Sequence, residues 1–560
     1  MRVRLFALLA VLSLAAVPSP ARSAEAKKAA EPAAVGQFQS IDEIMADIMY
    51  LAALAGHEED AKNFDGIIKS QIGEKGLQGI DTKKPWGVYN MVVGTPGTVL
   101  VPITDEKAFL DLLGNLNQKP EKGDDGIYSL TPDGSPVTVY FRFANKYLYA
   151  TAQDKDILAK EKLLDPSKVL LASRTSTVAL LLHLDQVPNE LKDMGLSQFE
   201  VALANAKDEK PVGETDAQHQ FKVQFLDDLF ERVKRFAKEG GDLDVKFNID
   251  RKAHALTAEA TVTAKSGSKL ETNIADLGKA TSLFGGMLNA GSAMNMLAHG
   301  SMPANLHKSF EPVVDEVVNK ALENEKDKIK RQQAEKVLKA LKPTFKSGEV
   351  DAGFSLRGPD ADHFYTVLMG IKLTDGKGVE NALRDLVRTL PERDQAKVKF
   401  NAEREGKVRI HRVDAQDAYD TKTRQVIGNN PIYVVIRDDA ALITAGPGAL
   451  KAVKELAVAE PKVQPQFEFE MGLARLAPLM AKEHPEAAKA AEEAFAKAGK
   501  GSDKIRFSVQ GGEALKVRFA VQAPVVKFFS HIAESTRSRA IEQEREAAEK
   551  AAKEVKDKDK

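Results

Sequence analysis

A proline, a mainly apolar run, a polar turn and a second apolar run follow one another through "PVTVYFRFANKYLYAT" at residues 136–151. The same pattern returns as "PIYVVIRDDAALITA" at residues 431–445. Each stretch predicts two short strands joined as a hairpin, followed by a helical run. Upstream, "TDEKAFLDLLGNL" places Phe109, Leu112, Leu113 and Leu116 on one helical face, with Thr104 or Asp105 as its cap. "VLMGIKLTDGKGVENALRDLV" repeats that strand, Thr-Asp step and amphipathic helix, with Thr374-Asp375 in place of Thr104-Asp105. "VRIHRVD" at Val408 takes the place of "GIYSLTP". Several matches in one order predict internal duplication rather than coincidence.

A second unit, a strand followed by a short polar link, a proline and a helix, reads out at Val178, Met294 and, more loosely, Phe467. Proline suits a first helical turn, where its missing N–H is no loss. A hairpin follows each time. In the last, Ile505, Phe507 and Val509 alternate before Gly511-Gly512, and Leu515, Val517, Phe519 and Val521 alternate after it. Between the two halves, Phe310, Val313, Val314, Val317 and Ala321 form one apolar stripe that Val337, Leu338 and Leu341 resume. The predicted fold is α+β: two related lobes of antiparallel sheet, each with helices packed on one face, joined by a long helix.

The boundaries that follow are a signal peptide at 1–26, a flexible linker at 27–39 and N-terminal helices at 40–80. The first lobe then spans 81–302, the connecting amphipathic helix 303–343 and the second lobe 344–532. A charged helical or disordered tail closes the chain at 533–560. Arg2 and Arg4, a short apolar core and the small residues of "PSPARSAEA" predict export, with cleavage after Ser23 or after Ala26. That apolar core is too short for a membrane span, and no other segment predicts one. The expected location is the periplasm or the exterior.

Composition narrows the function. The 560 residues are 43% hydrophobic and 29% charged, an ordinary globular balance over several domains. A formal net charge of −1 and a single tryptophan, Trp86, argue against a nucleic-acid partner. No cysteine is present, which excludes disulfides and thiolate metal sites.

Candidate chemistry is sparse. "LITAGPGALKAV" has Gly446 and Gly448 between a strand and a helix, but lacks the Gly-Lys-Ser/Thr ending of a phosphate loop, so it reads as a tight turn. His183 and His299 stand in matching places before helix-starting prolines, as weak acid/base or metal candidates against a structural role. Asp414, Asp417 and Asp420 cluster without the glycine and glutamate of a calcium loop, leaving a loose cation site against a solvated loop. Ser266 lies three residues before Lys269, but the companion motifs of serine penicillin-binding enzymes are absent. No catalytic set, cofactor site or metal site emerges. Residues 280–306 carry no Asp, Glu, Lys or Arg; they read as buried core next to a strand, with the alternative that Met287, Met294 and Met296 form an adaptable apolar surface for a lipid, a peptide or a cell-envelope protein.

In the Thr-Asp-helix motifs at Thr104 and Thr374, and in the segments from His183 and His299 to the next proline, the chain resembles secreted bacterial proteins of unknown function with duplicated α+β units. That resemblance covers most of the mature chain and implies an architecture without an activity. The leading expectation is an exported, non-enzymatic scaffold or binding protein of unknown ligand. The alternative is a cell-envelope hydrolase using a site in one lobe.

Overall fold

A computed structural model of the chain describes residues 31–59, 66, 76–132, 135–152, 154–171, 175–323, 328–482 and 484–558. The expected signal peptide, and most of the second N-terminal helix, lie outside these residues. The chain mixes helix (43%) and strand (28%), with antiparallel sheet throughout. It divides into two units, Met1–Leu196 with Phe236–Ser268, and Ser197–Arg235 with Lys269–Lys560.

The first unit starts in a strand that the sequence reading placed in a flexible linker. In β1 (Ala34–Phe38) alternate side chains are buried, yet five residues are too few to display a period. It pairs on one side with β2 (Trp86–Asn90) and on the other with β8 (Val178–His183). Between β1 and β2 lies α1 (Ile41–Leu54), capped by Ser40, whose hydroxyl accepts the Glu43 N–H at 3.2 Å.

From β2 the sheet runs through β3 (Thr98–Pro102), β7 (Tyr147–Ala152) and β6 (Val139–Ala144), then to β5 (Tyr128–Leu130) and β4 (Glu121–Lys122). On the far side of β8 come β9 (Gly240–Asp250) and β10 (Ala255–Ala264). All nine pairings are antiparallel.

Strand β3 is buried along its whole length. Leu100 packs with Val35, Tyr89 and Tyr149 on one face. Val99 and Val101 pack with Phe109, Phe141 and Leu148 on the other. Phe109 comes from α2 (Glu106–Asn115), which Asp105 caps by accepting the Ala108 N–H at 2.8 Å. Under this helix Phe141, Ala150 and Val99, cross-strand neighbours in register, are only 3%, 5% and 6% exposed. Helices α3 (Asn189–Asp208) and α4 (Asp216–Glu239) lie between β8 and β9 in sequence.

The second unit opens with α5 (Lys269–Leu277) and a two-residue ladder between β11 (Thr281–Ser282) and β19 (Lys462–Val463). Its sheet centres on β12 (Ser292–Ser301), which pairs with β13 (Glu349–Arg357) and β20 (Phe467–Gly472). The order continues from β13 to β14 (Thr366–Lys372), β18 (Ala440–Ala445), β17 (Ile432–Ile436), β16 (Val408–Val413) and β15 (Val398–Glu405). On the other side β20 leads to β21 (Lys504–Gln510) and β22 (Leu515–Gln522).

The expected connecting helix at 303–343 is instead two helices of this unit, α6 (Ala304–Glu323) and α7 (Lys328–Phe345), between the paired strands β12 and β13. The expected first lobe, bounded at 302, runs past the division between the units, because β12 belongs to the second unit. Helix α8 (Gly376–Arg388) follows β14, capped by Asp375, which accepts the Gly378 N–H at 2.8 Å. Helix α9 (Ala449–Ala457) packs with Leu297, Leu368 and Leu442 against one face of the sheet. At one end of the opposite face lie α10 (Leu473–Met480), α11 (Glu486–Phe495) and α12 (Ala523–Lys558). The tail expected from residue 533 is the continuation of α12, which begins ten residues earlier.

Candidate functional site

The methionine-rich stretch is mostly core. Met287 is fully buried beside Phe284, both lying on the sheet where β13 and β14 carry Gly353 and Gly370. A Cβ at Gly370 would stand 2.5 Å from the Phe284 ring, so these glycines make the room that seats it. Met294 is half-buried against Leu356 and Tyr365. Only Met296 faces outward, at 38% exposure. The core reading of this stretch therefore holds for two of the three methionines: Met287 packs under the opposite face of the sheet, and α10 covers Met294 on the face that Met296 shares.

Met296 is one position in a longer feature. It is paired with Phe354, Phe354 with Met369, Met369 with Ile443 and Ile443 with Val434, an apolar row across β12, β13, β14, β18 and β17. On the other side of Met296 the row runs through Phe469 and Phe507 to Phe519. Met369, Ile443 and Phe519 are 43%, 40% and 43% exposed. The parallel row through Ile371, Ala352, Ala298 and Phe467 is also apolar. The row through Val367, Leu356, Met294 and Met471 is the one that α10 covers. The middle of this sheet face is thus an apolar strip exposed at Met296, Met369, Ile443 and Phe519, with Phe354, Val434, Phe469 and Phe507 half-buried between them, beside a helix-covered edge. Contiguous apolar exposure of this kind marks a binding surface or an aggregation hazard, unlike scattered apolar residues.

The strip ends at β16, where His411 pairs with Val434. His411 is buried; its Nδ1 accepts the Asn401 N–H at 3.0 Å, and Nε2 lies 3.6 Å from Glu380 Oε1 without a hydrogen-bond partner. Burial pushes the imidazole pKa down from its ordinary value, against the opposing pull of Glu380. Arg384 reaches Glu380 Oε1 at 2.6 Å through Nη2 and stacks 4.2 Å above the Phe400 ring. Arg409 reaches Glu380 Oε2 at 3.2 Å and sits directly across the ladder from Arg404.

The other sequence candidates do not assemble. His183 Nδ1 lies 2.6 Å from Asp242 Oδ1 in the first unit. His299 belongs to the second unit, where its Nε2 meets the Gln464 carbonyl at 3.1 Å and its backbone N–H donates to Gln466. Each ring ties its own strand to a neighbour, and the two share no site. Asp414 accepts from Arg412 at 2.8 Å and pairs with Lys399 at 2.9 Å. Asp417 pairs with Lys397 at 2.7 Å. Asp420 caps the short helix Thr421–Ile427 by accepting the Thr423 N–H at 2.7 Å. The three carboxylates, weak candidates for a cation site, are engaged separately, and no metal-holding cluster occurs among the described residues.

The Gly446–Gly448 loop is a tight turn. Gly446 adopts a φ of 107° and Gly448 one of 75°, and a Cβ at Gly446 would stand 2.1 Å from the Tyr365 carbonyl oxygen. On the first unit, a cleft of about 650 Å³ is lined by Lys122, Asp125, Arg142 and Lys160 among others. Its buried Arg142 is spoken for: it donates to the Leu158 carbonyl at 2.7 Å and to the Asp125 carbonyl. The open strip was missed by sequence reasoning, because strands buried on both faces look the same as strands whose open face is apolar.

No protein family and no curated protein matches the chain. Among solved structures, one described as the structure of crystal form IV of TP0453 aligns over 42% of this chain and 77% of its own, with 9% identity and a TM-score of 0.22. No helix among the described residues is long and apolar enough to cross a membrane.

Proposed function

We propose that the chain is an exported, non-enzymatic binding scaffold made by duplication of one ten-stranded α+β unit. The observation that carries this reading is the strand order. Taken along the chain, β1, β2, β3 and then β4 to β10 pair in the same antiparallel arrangement as β12, β13, β14, then β15 to β18 and β20 to β22. The third strand of each set is followed by an Asp-capped helix, with bonds of 2.8 Å at both caps.

On this reading β12 corresponds to β1 and β20 to β8. The strand-to-helix unit then occurs four times, and His183 and His299 do not occupy matching places. Copies that keep their frame and its capping aspartates, while their histidines do not recur, are scaffolds for surfaces rather than for one shared reaction. The uncovered strip supplies such a surface.

The test is recovery of the chain from its own cells after fractionation. The expected result is an envelope or culture-fluid protein beginning at Ala24 or Lys27, with no hydrolytic turnover that His183→Ala or His299→Ala removes. A cytoplasmic, uncleaved chain would end the export reading, and a turnover lost with either histidine would end the non-enzymatic one.

A further inference from the structure

We infer that the open strip of the second unit holds a free long-chain fatty acid, its hydrocarbon along Ile443, Met369, Phe354 and Met296 and its carboxylate at Arg404 and Arg409. The inference rests on the binding-scaffold reading and names the ligand of that surface.

Three observations carry it. First, the strip offers an occupant no hydrogen-bonding side chain: the positions in register from Val434 to Phe519 are aliphatic, aromatic or Met. A sheet face also has no free backbone N–H or C=O to offer, since each strand's groups are used by its neighbours. A bound peptide would leave its own polar groups unpaired there, whereas a hydrocarbon chain has none.

Second, the shape is long and one-sided. From β16 to β12 there are five strand spacings, or roughly 24 Å. That exceeds the ~15 Å of hydrocarbon that one bilayer leaflet contributes. A second copy of the sheet packed face to face would need to approach to about 10 Å. The α10 helix on the Leu356 and Met294 row stands in that gap.

Third, the strip is charge-free along its length and cationic at the β16 end. Arg404 and Arg409 face each other across the ladder, an arrangement that repels unless an anion lies between or beside them. Arg384 adds a third cation, and Glu380, shared by Arg384 and Arg409, is the carboxylate that both reach. One fatty-acid carboxylate complements the remaining positive charge.

The experiment is a titration of the full mature chain with cis-parinaric acid, followed by its fluorescence and by native mass, with the matching fatty alcohol as the uncharged comparison. The expected result is one tightly held acid per chain, with the alcohol bound several-fold more weakly. Joint replacement Met369→Gln and Ile443→Gln, at exposed positions that leave the melting temperature unchanged, lowers affinity at least about tenfold. Arg409→Gln weakens the acid several-fold and leaves the alcohol unaffected, which a merely structural role would not do. Leu180→Gln, an exposed apolar position of the first unit, leaves binding unchanged. No binding by the natural chain, equal binding by the double variant, or capture of whole vesicles in place of single molecules overturns the inference. An acid that is bound and chemically altered would overturn the scaffold reading while leaving the site intact.

Discussion

In the first unit the row Phe141, Ala150, Val99 is sealed; in the second the row Val434, Ile443, Met369 is half-buried at Val434 and exposed at Ile443 and Met369. The difference lies in the helix that follows the Thr-Asp cap. Counting from Asp105 and from Asp375, Phe109 corresponds to Val379, Leu110 to Glu380 and Leu112 to Ala382. Phe109 places its ring edge-on to Phe141 and Phe143, with centroids 6.4 and 5.9 Å away, and closes the row beneath it. Val379 is buried as well, but it is shorter, and Glu380 draws its helix into a polar cluster with His411, Arg384 and Arg409 at the β16 end. A few side-chain volumes on the Asp-capped helix thus separate a sealed sheet face from an exposed one.

The comparison can be broken most forcefully at Phe109. Phe109→Ala should cost about 3–5 kcal/mol, the range for emptying a buried aromatic site. Val379→Ala should cost distinctly less, because fewer atoms leave the core. Denaturant melts of the two variants read this directly, and equal losses would mean that both helices seal their rows alike.

The caps come next. Asp105→Ala and Asp375→Ala should each cost about 1 kcal/mol, and by similar amounts, since each aspartate accepts one backbone N–H at 2.8 Å. Unequal losses would weaken the correspondence between the two helices.

A smaller effect is set by acidity. The His411 pKa is depressed in the folded chain, so below about pH 6.5 the unfolded chain binds the proton more readily. The stability of the neutral, buried ring is therefore complete above that value and declines as pH falls towards the depressed one. Melting temperatures between pH 7.5 and 5 should drop less for His411→Gln than for the natural chain. The same drop in both would remove His411 as the cause. Smallest of all, Met369→Thr should change stability by no more than about 0.5 kcal/mol, as for an uncovered surface position. A larger loss would mean that the row is covered.

Much of the frame can be read from residues. The Thr104-Asp105 and Thr374-Asp375 steps predict both caps, and Pro188 and Pro303 mark the starts of α3 and α6. The strands β6–β7 and β17–β18 follow from paired apolar runs on either side of a polar turn. What escaped is tertiary. The five residues of β1 are too short to show a period. Pro478, read as a helix start, lies inside α10, because Gly472 brings the chain straight from strand into helix. Met287 and Met296 look alike in sequence and face opposite ways, one into the space left by Gly353 and Gly370, the other outward. Val99 and Met369 likewise sit in similar apolar strands, and the helix that follows each, with Phe109 or Val379, separates the covered one from the exposed one.

The absence of cysteine makes each introduced thiol a unique reporter of exposure. The most direct test compares the alkylation rates of the single variants Val99→Cys and Met369→Cys under native conditions. The sealed and open rows predict that the thiol at 369 reacts at least about a hundredfold faster, since the thiol at 99 reacts only when its region opens. Equal rates would contradict the account, because one row could then be neither core nor the other a surface.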